Sequence, residues 1–194
     1  EGIYTQRPYD QKKAKISRGQ LITKKSELSK LVSSDRYDPT AKNGISKRWL
    51  PSSAAATYCA QGDEHSADGS VDESAANAVM QMEKRMKKAE AMKQALPEPE
   101  LYRVASGKPL VVSAHEEACD VLIVSWGSNK GVILDAMREV AFSELGNKKT
   151  IGYLHYTYLW PLKTDRLVAL ASKAKKIVFV ECSYQCQLLQ LVRQ

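Results

Sequence analysis

The sequence has no run of apolar residues long enough to cross a membrane, and no apolar stretch follows Glu1 as a signal peptide would require. Cysteine is scarce and forms no C-x-x-C pair, which excludes a disulfide scaffold and a four-cysteine metal or iron–sulfur site of familiar spacing. We therefore expect a cytoplasmic protein with free thiols at Cys59, Cys119, Cys182 and Cys186.

Positive charge is in modest excess, with 29 Lys+Arg against 22 Asp+Glu and a formal net charge of +7. Basic clusters such as Lys12–Lys13 lack the interleaved aromatic residues and the recognised motif of a nucleic-acid-binding patch. We interpret them as a solvated surface and expect neither nucleic acid nor a membrane as a partner. The composition, 43% hydrophobic and 26% charged, is that of a globular protein.

Motifs for nucleotide binding are also missing, since the sequence has neither a Walker loop nor G-x-G-x-x-G. One glycine-rich segment nevertheless lies between an apolar run and a helical pattern, where backbone N–H groups could hold an anion. The alternative is a tight turn whose glycines serve only close packing. The candidate anion-binding residues are Gly127, Ser128, Lys130 and Gly131.

A second candidate site is a polar cluster of Asp63, Glu64 and His65, which could do general acid–base work or bind a metal. Three consecutive residues rarely point at one ion, so the alternative is a loop pinned by side-chain hydrogen bonds. No nucleophile elbow or Ser/His/Asp order is visible. His155 ends an apolar strand, where it is either a satisfied core residue or part of a site at the strand end.

Residues 120–194 show the clearest pattern, an alternation of apolar runs with helical periodicity, within an α/β segment that we place at 101–194. We predict a three-layer α/β/α domain with a mainly parallel sheet, because strands this apolar are buried between helices. The parallel strands are expected at residues 121–125, 151–155 and 177–181.

The remaining sequence divides into an extended basic arm (1–70) and a long helix with a proline-rich linker (71–100). In the arm the pattern predicts one short helix at 26–32 with Thr23 as its N-cap. The spacing of Ser70 and Glu73 predicts a capping box for the long helix. That helix carries a narrow apolar seam, which must pack within the chain or on another subunit: Ala75, Val79, Met82, Met86 and Ala89.

Ordered short motifs along nearly the whole chain resemble one family. Those of the α/β segment are similar to the transketolase C-terminal-type domain: Val124 to Gly131, His155 to Pro161, Val178 to Glu181, and Gln187–Leu188. The upstream motifs are similar to the alpha subunit of 2-oxoacid:ferredoxin oxidoreductases, with the 2-oxoglutarate type most similar: Ile16 to Gly19, Arg36–Tyr37, Gly44 to Ser46, Arg48 to Pro51, Gly62 to His65, Gly69, and Met82 to Lys88.

The resemblance implies an oligomeric enzyme that converts a 2-oxoacid and coenzyme A to an acyl-CoA and CO₂, with electrons passed to ferredoxin. It also implies thiamine diphosphate, Mg²⁺ and an iron–sulfur cluster in the complete enzyme. This sequence has no G-D-G…N diphosphate motif, since Glu64 follows Gly62–Asp63, and no clustered cysteines. We therefore expect no catalytic residue, cofactor site or metal site here.

The chain is then interpreted as the C-terminal structural part of an alpha subunit, with the rest of that subunit and the beta subunit as partners. Its last apolar run ends abruptly, and both ends predict a longer polypeptide. The departures from the family include Ser183 and Cys186, which stand where it usually has Asn and Gly. The alternative function is a stand-alone α/β module that binds a phosphorylated ligand at Gly127–Gly131.

Overall fold

The computed structural model describes residues 10–105, 108–112, 118–141 and 149–194, with side chains described for 10–104, 118–141 and 149–194. These residues belong to two compact units, one formed by Asp10–Ala95 and the other containing Leu96–Gln194. Within the described ranges, no helix is both long and apolar enough to cross a membrane.

The Asp10–Ala95 unit consists of an arm with little regular structure and one long helix. The arm contains helix α1 (Lys25–Leu28) and 3-10 turns at Gln11–Lys13, Ser33–Asp35 and Lys42–Gly44. Helix α1 is shorter than the predicted helix, and Thr23 does not cap it, because Lys24 occupies the cap position and makes no side-chain cap bond. Helix α2 (Ala75–Ala95) is the long helix that the sequence predicts.

The capping box predicted for α2 is wrong. The N–H of Ser70 donates to Asp68 Oδ1 at 2.9 Å, so Ser70 belongs to a turn before the helix. Helix α2 begins at Ala75 instead. Ser74, the residue before it, accepts the N–H of Asn77 with its Oγ at 3.4 Å. Asp68 binds the backbone N–H of Ser70 in a local turn, and a prediction based only on the Ser70–Glu73 spacing does not consider this competition.

Helix α2 turns its polar side inward and its apolar seam outward. The buried residues of the helix are Asn77, Gln81 and Lys84. Asn77 Nδ2 donates to the carbonyls of His65 (2.9 Å) and Asp72 (2.8 Å). The buried face of the helix thus contacts backbone carbonyl oxygens of the arm through hydrogen bonds. Val79, Met82 and Met86 are 58%, 50% and 56% exposed. In the part of the chain that the structure describes, these three side chains of the seam are therefore not covered.

Two glycines allow the arm to lie close to itself and to α2. Gly44 has φ +67°, and a Cβ there would lie 2.3 Å from the carbonyl oxygen of Lys84. Gly69 has φ +88°, and a Cβ there would lie 2.0 Å from the carbonyl oxygen of Cys59. Both positions combine left-handed backbone with backbone contact, so no larger residue fits without displacement.

The second unit is built on a five-stranded sheet of order β2-β1-β4-β3-β5. Strands β3 (Val121–Trp126), β4 (Ile151–Tyr156) and β5 (Lys176–Phe179) run parallel and confirm the three predicted strands. Strands β1 (Glu100–Ala105) and β2 (Lys108–Val112) extend the sheet as an antiparallel pair beside β4. The apolar pattern of the sequence does not predict that pair.

Helices cover both faces of the sheet, which confirms the three-layer α/β/α architecture. Helix α3 (Asn129–Ala141) covers one face, where Ile133 and Met137 pack with Tyr102 and Tyr153. Helices α4 (Asp165–Ala171) and α5 (Gln187–Val192) cover the other. The buried cluster on that face is Leu101, Cys119, Leu122, Val124, Leu154, Tyr156, Leu167, Leu170 and Leu188.

Candidate functional site

The predicted polar cluster at residues 63–65 is tied to helix α2 by an ion pair. Glu64 accepts two hydrogen bonds from Arg85, one from each terminal nitrogen, at 2.7 and 2.8 Å. The Arg85 guanidinium lowers the pKa of the Glu64 carboxyl to about 2. A carboxylate held by both oxygens in this way anchors the loop and is not free to act as a general base.

The other two members of the cluster do not converge on Glu64 as metal ligands would. The His65 ring lies 4.2 Å from the Tyr37 ring, and its Nδ1 lies 3.1 Å from the carbonyl oxygen of Ser66. Asp63 is exposed. Among the described residues, no group of three or more His, Cys, Asp or Glu side chains could hold a metal ion. The geometry favours the pinned-loop interpretation.

The cation of the predicted anion-binding turn is engaged with the sheet. Lys130 Nζ forms an ion pair with Glu100 Oε2 and lies 5.0 Å from the centre of the Tyr102 ring. Tyr102 donates its hydroxyl to the same carboxylate at 2.6 Å. Gly127 has φ +64°, so the turn also needs its glycine for the backbone. The structure pairs Lys130 with a carboxylate, so an anion at the turn would have to compete with Glu100 for this cation.

His155 lies beside this group at the carboxyl end of β4. It is 5% exposed, and its Nδ1 lies 2.9 Å from the Tyr153 hydroxyl. Burial lowers the pKa of His155 to about 4, and the nearby charge of Lys130 acts in the same direction. A buried neutral imidazole with a hydrogen-bond partner is a satisfied core residue.

Glu181 holds the start of helix α5 and was singled out only as part of a motif. Its carboxylate accepts the backbone N–H groups of Leu188 (2.9 Å) and Leu189 (3.1 Å) and the indole N–H of Trp126 (3.1 Å). Cys186, at the N-cap of α5, has φ +53°. The family's usual glycine would adopt this left-handed backbone without strain, whereas Cys186 does not.

Replacing Cys186 by glycine should therefore stabilise the protein. Glycine removes the strain of the left-handed backbone but is more flexible in the unfolded chain. Together these effects predict a gain of about 0.5–1 kcal/mol in the free energy of unfolding. Urea titrations of the two proteins measure it. Cys186→Ala is the control, since it removes the thiol and keeps the Cβ; a gain of the same size in that variant would contradict the explanation.

The neutral state of His155 predicts how stability depends on pH. The unfolded chain binds a proton at this histidine near pH 6.5 and the folded chain only near pH 4. Stability should therefore fall as the pH drops from 6.5 to 4, by about 2–3 kcal/mol from this residue. In His155→Gln that part of the pH dependence should disappear. Urea titrations at pH 7, 6, 5 and 4 test this, and an unchanged slope in the variant would show that another group is responsible.

Comparison with known proteins identifies relatives along nearly the entire chain, although no protein-family profile matches it. The 2-oxoacid:ferredoxin oxidoreductase 1, subunit alpha, of Sulfurisphaera tokodaii is 28% identical over 193 residues, or 98% of this chain and 27% of that protein. The protein of the same name from Aeropyrum pernix is 30% identical over 185 residues, or 94% of this chain and 26% of that protein.

A solved structure of a 2-oxoacid oxidoreductase of this kind is also similar to the chain. The 2-oxoglutarate:ferredoxin oxidoreductase from Magnetococcus marinus, with 2-oxoglutarate, coenzyme A and succinyl-CoA bound, has a TM-score of 0.65 at 25% identity, over 81% of this chain and 25% of that one. The chain thus spans about a quarter of the length of these relatives. The resemblance is confirmed: the chain is homologous, over almost all of its length, to one segment of 2-oxoacid:ferredoxin oxidoreductase alpha subunits.

Proposed function

We propose that this chain is the C-terminal structural part of the alpha subunit of a thiamine-diphosphate-dependent 2-oxoacid:ferredoxin oxidoreductase, and that its role is assembly. The complete enzyme would convert a 2-oxoacid and coenzyme A to an acyl-CoA and CO₂ and pass the electrons through an iron–sulfur cluster to ferredoxin. The alignment of nearly the whole chain with about a quarter of named alpha subunits supports this proposal.

The residues of this chain do not fit a thiamine diphosphate–magnesium site. Glu64 follows Gly62–Asp63 where the diphosphate motif needs glycine, and its carboxylate is held by Arg85. We therefore assign thiamine diphosphate, Mg²⁺ and the iron–sulfur cluster to the rest of the alpha subunit and to the beta subunit. The four cysteines are free thiols, which supports a reducing, cytoplasmic setting.

The exposed seam of helix α2 is the observation that carries the assembly role. Its side chains Val79, Met82 and Met86 are each at least half exposed, on the side of the helix opposite the buried Asn77 and Gln81. Contiguous apolar residues on one helix face mark a surface that another protein surface covers. Methionine suits such an interface because its flexible side chain adapts to the partner.

The alternative, a stand-alone module that binds a phosphorylated ligand at Gly127–Gly131, has less support. A phosphate there would have to compete with Glu100 for Lys130, and the aromatic ring of Tyr102 already lies beside that cation. Displacing a partly buried carboxylate to bind a second anion costs free energy. We therefore favour assembly.

The double substitution Met82→Lys, Met86→Lys separates assembly from folding. Because both side chains are exposed, the stability of this chain alone should change by less than about 0.5 kcal/mol. In the full-length alpha subunit the same change should abolish association with the beta subunit or packing against the rest of alpha, since two unpartnered charges would be buried. Thermal melting of the chain and size-exclusion chromatography of the co-expressed subunits measure the two effects.

A matched control is available on the same helix. Met80 and Met92 are 47% and 44% exposed but lie outside the seam, so Met80→Lys, Met92→Lys should leave assembly intact. Equal loss of assembly in both double variants would indicate a non-specific effect of charge. Normal assembly of the Met82, Met86 variant would refute the proposed role of the seam.

A further inference from the structure

Two positive charges of the Asp10–Ala95 unit share one aromatic ring. The guanidinium carbon of Arg36 lies 4.5 Å from the centre of the Tyr37 ring and 5.1 Å from that of Tyr58. Lys84 Nζ lies 5.9 Å from the centre of the Tyr37 ring. Residues far apart in the sequence are thus brought together by the packing of the arm on α2.

Neither cation has a carboxylate partner in the part of the chain that the structure describes. Lys84 is 9% exposed, and its ammonium group is in no ion pair with a described residue. Arg36 Nε is buried without a hydrogen-bond partner. The Lys84 side chain is thus buried and Arg36 is half-buried, and charged groups in such positions are normally paired or hold a ligand.

The surrounding charges do not compensate this pair. Burial lowers the pKa of Lys84 to about 8; Lys88, Arg36 and Arg85 act in the same direction and Asp38 acts against them. Asp38 directs Oδ1 to the backbone N–H and the hydroxyl of Thr40, at 2.8 and 2.7 Å. These hydrogen bonds leave Asp38 charged, so it offsets one positive charge, and the local balance stays positive because Arg36, Lys84 and Lys88 outnumber it.

We propose that Arg36 and Lys84 form a binding site for an oxyanion, a carboxylate or a phosphate group, beside the rings of Tyr37 and Tyr58. The planar guanidinium of Arg36 supplies directed donors and Lys84 a point charge, the combination that recognises both kinds of anion. The Tyr58 hydroxyl donates a hydrogen bond to the carbonyl of Trp49 at 3.4 Å, which holds the Tyr58 ring in place. This site belongs to the chain itself and does not depend on the proposed function.

Anion-dependent melting of the chain tests the site. Melting temperatures are measured at pH 7 and constant ionic strength while sodium chloride is replaced by sodium phosphate or by sodium acetate. We expect a saturable rise with at least one of the two anions, and the more effective one identifies the ligand class. In Arg36→Gln and Lys84→Gln the apparent affinity should fall at least about tenfold, because each removes a charge-assisted contact.

Lys87→Gln is the matched control, since Lys87 is an exposed lysine on the same helix and should respond like the unaltered chain. A response that persists in the Arg36 and Lys84 variants, or no response to either anion, would overturn the proposal. Should a variant fail to fold, NMR titration of the Lys84 ammonium group in the unaltered chain replaces it. Added anion should raise the pKa of Lys84 towards that of an ordinary lysine, and an unchanged pKa would likewise overturn the site.

Discussion

The arm and helix α2 depend on hydrogen bonds between the polar side of the helix and the backbone of the arm. The arm has little regular secondary structure, so its backbone leaves carbonyl groups that need donors. Asn77 satisfies two of these carbonyls, and the Glu64–Arg85 ion pair fixes the same loop from the side. This requirement decides which face of α2 is buried and leaves the apolar seam outside.

The consequences reach the candidate sites. Turning the polar face inward buries Lys84 beside Tyr37, where no described carboxylate forms an ion pair with it. The close approach of the arm to the helix requires glycine at position 44, because a Cβ there would clash with the backbone of Lys84. Several motifs that carry the family resemblance thus have one physical role, since they hold the arm against α2. The α/β unit has no such dependence, because each face of its sheet has its own apolar cluster.

The sequence predicted the elements that apolar patterning controls and missed those that depend on polar partners. The parallel strands follow from runs such as Val121 to Val124, which have no stable place except between two helix layers. The β1–β2 pair was missed because its residues mix apolar and charged types. Periodicity located the seam of α2 but could not show whether this chain covers it. The polar cluster included Glu64, but its partner Arg85 is 21 residues away, beyond what spacing rules detect.

Methionine oxidation shows directly whether α2 buries its polar side and exposes its apolar seam. Exposed methionines form the sulfoxide readily, whereas buried ones are protected by the fold. Met82 and Met86 are 50% and 56% exposed and Met137 is 2% exposed, so one protein contains both the test residues and the reference. Under dilute hydrogen peroxide, peptide mass spectrometry of the folded chain should show Met82 and Met86 oxidised at least about tenfold faster than Met137. Protection of Met82 and Met86 equal to that of Met137 would contradict the account.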